Sequence, residues 1–163
     1  MKSSGEAKAK RLEHVTVLFT DFKGFTAISE KLPPEKVVEI TPPQLTKVFF
    51  ASSGSEANDT AVKMVWYYNN ALGRPKKKKV ISRYKGYHGV TIAAASLTAM
   101  PYVQNDFDVP IPNIIHTGAP HHYRFAEEGE SEEAFTDRLA RDLEDLILRE
   151  GPDTVAAFIG EPL

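Results

Sequence analysis

The sequence predicts an α/β fold in three layers, α/β/α, with a mostly parallel sheet of about five strands. Five short segments rich in β-branched, aromatic or other apolar residues lack the polar alternation of a sheet with one solvated face. Most of them are followed by a segment with helical features. Strands and helices in this order are typical of parallel sheets covered by helices on both faces.

Composition excludes several classes of function. The chain has 20 Lys and Arg residues and 22 Asp and Glu residues, which gives a net charge of -2. Nucleic-acid-binding domains are usually strongly basic, so this charge argues against that class. The chain has no cysteine, which excludes disulfides, thiolate metal sites and Cys nucleophiles. It has no apolar run near the roughly 20 residues that span a bilayer, and its start lacks the apolar stretch of a signal peptide. We therefore expect a cytoplasmic protein without nucleic-acid or membrane partners.

The N-terminal third contains two predicted strands. Residues 1–11 are small and polar and are expected to be a disordered lead-in. Residues 14–22 (HVTVLFTDF) predict a buried strand. Two short helices, over 25–32 and 34–40, are predicted on either side of a proline pair. Residues 47–52 (KVFFAS) predict the second strand.

A long helix is predicted after the second strand. Ser55 is a suitable N-cap, and Gly73 with Pro75 ends the helix. Its apolar residues recur at the spacing of one helical face. These residues are Ala57, Ala61, Met64, Val65, Tyr68 and Leu72.

The C-terminal half supplies three further strands and two further helices. Strands are predicted over 80–84, 113–118 and 155–162. A helix of small residues follows the first of them, and an amphipathic helix over 132–149 precedes the last. The amphipathic helix has Ser131 as its cap and Gly151-Pro152 as its stop. The lysine run 76–79 is predicted to be a solvated turn, and residues 100–112 and 119–130 to be loops.

Three strand ends carry candidate binding residues at the carboxyl edge of the predicted sheet, where parallel sheets bind ligands. Gly54 and Ser55 lie at a helix start whose free amides favour a phosphate, although Ser55 can equally serve as a plain cap. Tyr87 and His88 follow the next strand, where an exposed Tyr can stack on a planar ring; a core Tyr with a solvated His is the alternative. Glu161 closes the last strand at the same edge, where a lone Glu is usually solvated.

Three segments carry a resemblance to a known family. They are VFFASSGSEANDTAVKMVWYYNNALGRP, KVISRYKGYHGVT and AAFIGEP, in the order in which the family has them. On these segments residues 42–163 resemble class III aminotransferases, the pyridoxal-phosphate enzymes that include the omega-amino acid:pyruvate transaminases. The fold that the resemblance implies is a truncated large domain of fold type I.

The resemblance also implies roles for the candidate residues. Gly54 and Ser55 match the pair that holds the cofactor phosphate. Tyr87 matches the aromatic residue that stacks on the pyridine ring, and His88 is its neighbour in the motif. Glu161 matches the acid at the end of the fourth large-domain strand. Pyridoxal phosphate is the implied cofactor.

The family's chemistry needs two more groups, a Lys that forms the Schiff base and an Asp that pairs with the pyridinium nitrogen. We expect both to lie downstream of the last residue, so no catalytic residue is assigned and transamination is not expected. The expected ligand is a small-molecule phosphate, with pyridoxal phosphate bound weakly or not at all. Exposed sheet edges favour self-association, for instance as a homodimer.

Residues 12–40 carry a different resemblance. Their motif VTVLFTDxxGFT resembles the start of the catalytic domain of class III adenylate/guanylate cyclases. This implies that Asp21 is the first of two metal-binding aspartates and that Phe22 supplies a backbone carbonyl, with Mg²⁺ as the ion. The second aspartate has no counterpart, so metal binding is weakly supported and cyclisation is not expected.

The two resemblances together suggest a fragment chimera, in which a cyclase-like strand–helix unit over 12–40 is grafted onto an aminotransferase fragment over 41–163. The grafted strand is predicted to pair within the same sheet, so that both parts pack as one domain. Three hypotheses for function remain. They are an aminotransferase-derived fold without turnover, a nucleotide or polyphosphate binder with a divalent ion at the FTDFKGFT motif, and a structural chimera without a ligand.

Overall fold

The computed structural model describes residue 36 and residues 49–161. The chain divides into two compact units, residues 1–50 and 51–163. Everything below concerns the second unit, apart from Phe49 and Phe50. The predicted strand over 14–22, the metal-site residues Asp21 and Phe22, and the junction near residue 40 lie outside the described residues.

The sheet of the second unit is parallel, as predicted. Its strand order is β2-β1-β3, and Val80 in the central strand lies opposite Ile114 on one side and Ala157 on the other. The strands are β1 (Lys79–Arg83), β2 (Ile114–Thr117) and β3 (Val155–Phe158). The α/β class is therefore confirmed, with three strands among the described residues where the sequence predicted about five in the chain.

The predicted strand over 47–52 is not confirmed in its described part. Residues 49–51 have no regular structure and residues 52–53 form a bend. Phe49 and Phe50, which the prediction placed in a buried strand, are 66% and 50% exposed. A β-branched and aromatic run becomes a strand only when a partner strand completes its ladder and covers its side chains.

Residues 49–161 contain five helices: α1 (Gly54–Ala71), α2 (Ile92–Leu97), α3 (Pro101–Gln104), α4 (His122–Phe125) and α5 (Glu132–Glu150). Helices α3 and α4 are single turns inside segments that were predicted to be loops, and a proline at the first helical position begins α3.

Helix α1 differs from its prediction in its cap and its buried face. Ser53 is the N-cap, since its hydroxyl accepts the amide of Glu56 at 3.2 Å, and Ser55 is the second helical residue. The buried side chains of α1 are Val62 and Asn69, whereas Met64 is 56% exposed. The spacing of the apolar residues identifies α1 as a helix. These residues cover a broad part of the helix surface, so the spacing does not determine which of them face the sheet.

The core lies where α1 and α2 meet the sheet. It is formed by Val62 of α1, Leu97 of α2, and Val80 and Ile114 of the strands, and Trp66 packs against this cluster. Helix α5 packs against β2 as a separate contact and buries Phe135 and Leu146. Its predicted cap is confirmed, because the Ser131 hydroxyl accepts the amide of Ala134 at 3.1 Å.

The lysine run is only partly the solvated turn that was predicted. The Lys78 ammonium donates to the Trp66 carbonyl at 2.9 Å, near the end of α1. Lys79 donates to the Glu150 carbonyl at 2.8 Å and pairs with the Glu150 carboxylate at the same distance. Both cations lie at the negative ends of helix dipoles, where positive charge stabilises the helix. The run therefore ties two helix ends to the start of β1.

Candidate functional site

The predicted site residues belong to three neighbouring segments: the first turn of α1, the loop over 84–91 that follows β1, and the residues that follow β3. The loop and the residues after β3 both continue from the carboxyl ends of adjacent parallel strands. The contacts described below place the start of α1 against the same loop. The structure thus places Ser55 against the loop that carries Tyr87 and His88, and Glu161 against His88. The edge argument holds for the loop and for Glu161, whereas residues 49–53, directly before Gly54, form no strand.

Ser55 lies directly against the loop. The backbone amide of Val90 donates to the Ser55 hydroxyl oxygen at 3.1 Å, and the Thr91 hydroxyl donates to the Ser55 carbonyl at 3.3 Å. Gly89, between Tyr87-His88 and Val90, has φ 129°, and a Cβ atom placed there would lie 2.3 Å from the Ser55 hydroxyl oxygen. Only glycine allows this approach without displacement.

The first turn of α1 presents backbone donors that have no acceptor in the described part of the chain. The Glu56 amide is satisfied by Ser53, and the Glu56 carboxylate accepts the amide of Ser52 at 2.9 Å. Among residues 49–161, the amides of Gly54 and Ser55 donate to no protein group, and no atom lies within 4 Å of a Cβ built on Gly54. Free amides at the positive end of an 18-residue helix are the kind of group that binds an anion.

Tyr87 is 58% exposed and His88 is buried, which is the opposite of the alternative with a core Tyr and a solvated His. The His88 amide donates to the hydroxyl of the fully buried Thr98 at 2.8 Å, and the Asn58 side chain donates to the His88 carbonyl at 2.6 Å. The backbone beside Tyr87 is therefore fixed from two sides, while the phenol ring itself stays open to solvent.

Glu161 is paired rather than solvated. Its Oε2 accepts the Arg83 Nη2 at 2.7 Å and the Arg83 Nε at 3.1 Å. Its other oxygen, Oε1, faces His88 Nε2 at 3.0 Å, without the alignment of a hydrogen bond. One carboxylate is thus bonded to the end of β1 and lies in contact with the imidazole of the loop that carries Tyr87.

The charges of this group are set by burial and by the neighbouring ions. Burial lowers the pKa of His88; attraction by Glu161 opposes this, and repulsion by Arg83 and His116 adds to it. Burial raises the pKa of Glu161, but its own backbone amide, the Arg83 hydrogen bonds and the charges of His88 and Arg83 outweigh that effect and lower it. At neutral pH a charged Arg83–Glu161 pair therefore stands beside a neutral imidazole.

Sequence reasoning missed several residues that hold the site together. Arg83 was not singled out, although a charge at the end of a buried strand needs a partner. Asp59 was not singled out as a site residue either, but its carboxylate accepts the Thr91 hydroxyl at 2.7 Å and the Ala94 amide at 2.9 Å, so it caps α2. Asn58 and Thr98 carried no signal beyond their polarity.

Comparison with known proteins defines the class. The sequence model of the family Aminotransferase class-III matches residues 6–163. The chain therefore belongs to the class III aminotransferases.

Individual relatives agree with this assignment. The chain is 51% identical over 158 residues to gamma aminobutyrate transaminase 1, mitochondrial, of Solanum lycopersicum, which covers 97% of this chain and 31% of that protein. It is 50% identical to vanillin aminotransferase of Capsicum chinense, over 97% of this chain and 34% of the relative. The omega transaminase of Pseudomonas jessenii, solved in complex with PMP, aligns with TM-score 0.76 and 66% identity over 79% of this chain and 28% of that one. The chain spans about a third of the length of the curated relatives it matches.

The family match also includes residues 12–40, so the relationship to aminotransferases extends beyond the range on which the resemblance was based. The cyclase resemblance and the chimera stay predictions. Some relatives are named as mitochondrial or chloroplastic, and the cytoplasmic location likewise stays a prediction. Among the described residues, no helix has the length and apolar character needed to cross a membrane.

Proposed function

We propose that residues 51–161 supply the phosphate-binding turn and the ring-stacking wall of a pyridoxal-phosphate site in a transaminase. The observation that carries this proposal is the juxtaposition of two amides, at Gly54 and Ser55, that have no acceptor within residues 49–161, with the loop that exposes Tyr87. When bound, pyridoxal phosphate acts as an electron sink for amino-group chemistry. The residues present fit the two ends of that cofactor.

The phosphate end fits the start of α1. The amides of Gly54 and Ser55 point out of a helix N-terminus, which favours a dianion through both hydrogen bonds and the helix dipole. Within residues 49–161 the Ser55 hydroxyl takes part in one hydrogen bond, which it accepts from the Val90 amide, so its own proton can be donated to a phosphate oxygen. The open space at Gly54 leaves room for that group.

The ring end fits the loop. Tyr87 offers an exposed aromatic face beside a backbone that is fixed by Thr98 and Asn58, so stacking on a planar pyridine would cost little ordering. We assign binding roles and no catalytic role within residues 51–161. For the protein as a whole we propose transamination with an amine or omega-amino acid donor, since relatives are named gamma-aminobutyrate and omega transaminases.

The proposal is tested by calorimetric titration of the chain with pyridoxine 5′-phosphate, which has no aldehyde and cannot form imines with the many lysines. Unphosphorylated pyridoxine is the matched ligand. Ser55→Ala is expected to weaken binding about 10-fold or more, because a hydrogen bond to a charged group is worth about 1.5–3 kcal/mol. Tyr87→Leu is expected to weaken it about 2- to 10-fold through lost stacking.

Tyr123→Leu is the control, since Tyr123 is 92% exposed on α4 and has no role in the site. Equal binding of pyridoxine and its phosphate, or indifference to both site variants, would contradict the proposal. ATP with Mg²⁺ in the same titration tests the nucleotide alternative. If no ligand binds, the hypothesis of a fold without a ligand is favoured.

A further inference from the structure

We infer that Arg83 is a positioning residue of this site: it fixes the Glu161 carboxylate, which packs against His88 in the loop that presents Tyr87. The inference deepens the proposed function and rests on it for the role of Tyr87. The positioning itself rests on contacts within the chain. Within residues 49–161 the hydrogen bonds of the Arg83 side chain all go to Glu161, so its effect on the position of the loop is transmitted by that residue.

The Glu161 carboxylate divides its two oxygens between two partners. Both nitrogen contacts from the Arg83 guanidinium, at 2.7 Å and 3.1 Å, go to Oε2, and Arg83 Nη2 also donates to the Glu161 backbone carbonyl. This leaves Oε1 turned toward His88 Nε2 at 3.0 Å. Because the Arg83 guanidinium binds both the side chain and the backbone carbonyl of Glu161, it fixes the Glu161 rotamer. A lysine ammonium with a single contact would not do so.

The backbone at Gly86 and at Gly160 passes close to the Arg83–Glu161 ion pair. A Cβ atom on Gly86 would lie 2.3 Å from Glu161 Oε1, and one on Gly160 would lie 3.1 Å from the Arg83 guanidinium carbon. The loop and the segment after β3 therefore both run directly past the ion pair, with glycine at each point of closest approach. The side chains of Arg83 and Glu161 are only 17% and 35% exposed, so solvent screens the pair weakly.

Removal of Arg83 would leave a half-buried carboxylate against a neutral imidazole. An unpaired charge in that position is unfavourable, so Glu161 is expected to turn toward solvent and His88 to lose its lateral support. The His88 amide, bonded to Thr98, and the Val90 amide, bonded to Ser55, then report the freedom of the loop.

The first experiment measures hydrogen exchange of those two amides in the unliganded chain. Arg83→Met is expected to speed their exchange about 10-fold or more, as for a locally opened loop, while amides of the core strand β1 keep their protection. Arg83→Lys retains the charge without the planar guanidinium. Its exchange rates at the two amides are expected to lie between those of Arg83→Met and those of the original chain. Lys79→Met is the matched control, because it breaks the comparably buried Lys79–Glu150 pair at the opposite end of β1.

The second experiment is a double-mutant cycle in pyridoxine 5′-phosphate affinity with Arg83→Met and Tyr87→Leu. If Arg83 acts by placing Tyr87, the double variant binds within about 2-fold of Tyr87→Leu alone. Additive losses overturn the inference. So do unchanged exchange at His88 and Val90, or exchange that rises equally in β1 and the loop. If the original chain binds no ligand, the proposed function fails, and the exchange measurement still decides the positioning.

Discussion

Substitution of Gly89 gives the most specific prediction, because a side chain at this position would disrupt the contact between the loop and α1. Its φ of 129° is a conformation that other L-residues rarely adopt, and its missing Cβ leaves room for Ser55. Gly89→Ala would place a methyl group 2.3 Å from the Ser55 hydroxyl oxygen and 2.9 Å from the Ser55 Cα atom. One of these atoms is backbone, so the side chain cannot simply rotate away.

The expected loss of stability follows from two contributions. Backbone strain at a disfavoured φ costs about 1–3 kcal/mol. Separation of the loop from α1 also breaks the Val90 amide bond to Ser55, a hydrogen bond worth about 0.5–1.5 kcal/mol. We therefore expect Gly89→Ala to lower the free energy of unfolding by about 2–4 kcal/mol.

The assay is urea unfolding followed by the fluorescence of Trp66, the only tryptophan, which packs against the core. Gly54→Ala is the matched control, because within residues 49–161 nothing besides its chain neighbours and its own helix backbone lies within 4 Å of its built Cβ, and its φ is not in the left-handed range. It is expected to change the unfolding free energy by no more than about 1 kcal/mol. A Gly89→Ala variant within about 0.5 kcal/mol of the original chain, or as stable as Gly54→Ala, would refute the reasoning.

Two further predictions concern the core and the buried imidazole. Leu97→Ala is expected to cost about 2–5 kcal/mol in the same unfolding assay, since Leu97 is 1% exposed, whereas Leu148→Ala at a 60% exposed position should stay within about 0.5 kcal/mol. Because the pKa values of His88 and His116 are lowered from 6.5 in the folded chain, the unfolded chain takes up protons first, and the unfolding free energy should fall as pH drops below about 6.5. His88→Asn should flatten that decline between pH 7.5 and 5.5; an unaltered or steeper decline would contradict the shift at His88.

Elements that depend on local sequence were predicted well. Helix α5 has its cap, its apolar stripe and its stop within one stretch of chain, and the structure begins it after Ser131 as predicted. Parallel strands β1, β2 and β3 are apolar runs that a neighbouring helix can cover, and their positions agree with prediction to within a few residues. In these cases the information lies within about 20 residues of the element that it forms.

Features that depend on distant partners were predicted poorly. Residues 49–52 were expected in a strand from their side chains alone, yet a strand requires a neighbour that the sequence pattern does not name. From the sequence alone, Ser53 and Ser55 are equally suitable N-caps of α1. In the structure the Ser53 hydroxyl accepts the Glu56 amide at the helix start, whereas the Ser55 hydroxyl accepts the Val90 amide of the loop. Arg83 pairs with a carboxylate 78 residues away, so no local pattern marks it.

The loop over 84–91 is tied to three separate elements: to α1 through Ser55 and Asn58, to the end of α2 through Thr98, and to the chain after β3 through Glu161. The ties to Thr98 join residues 9 and 10 positions apart, and the ties to α1 join residues 30 and 35 apart, so the loop holds its shape only when these elements are assembled. A ligand that binds α1 and the loop together must therefore favour the folded chain over partly opened forms, by an amount set by its concentration relative to its dissociation constant. Conversely, any variant that loosens one tie lowers the affinity without touching the ligand, because the fraction of binding-competent molecules falls.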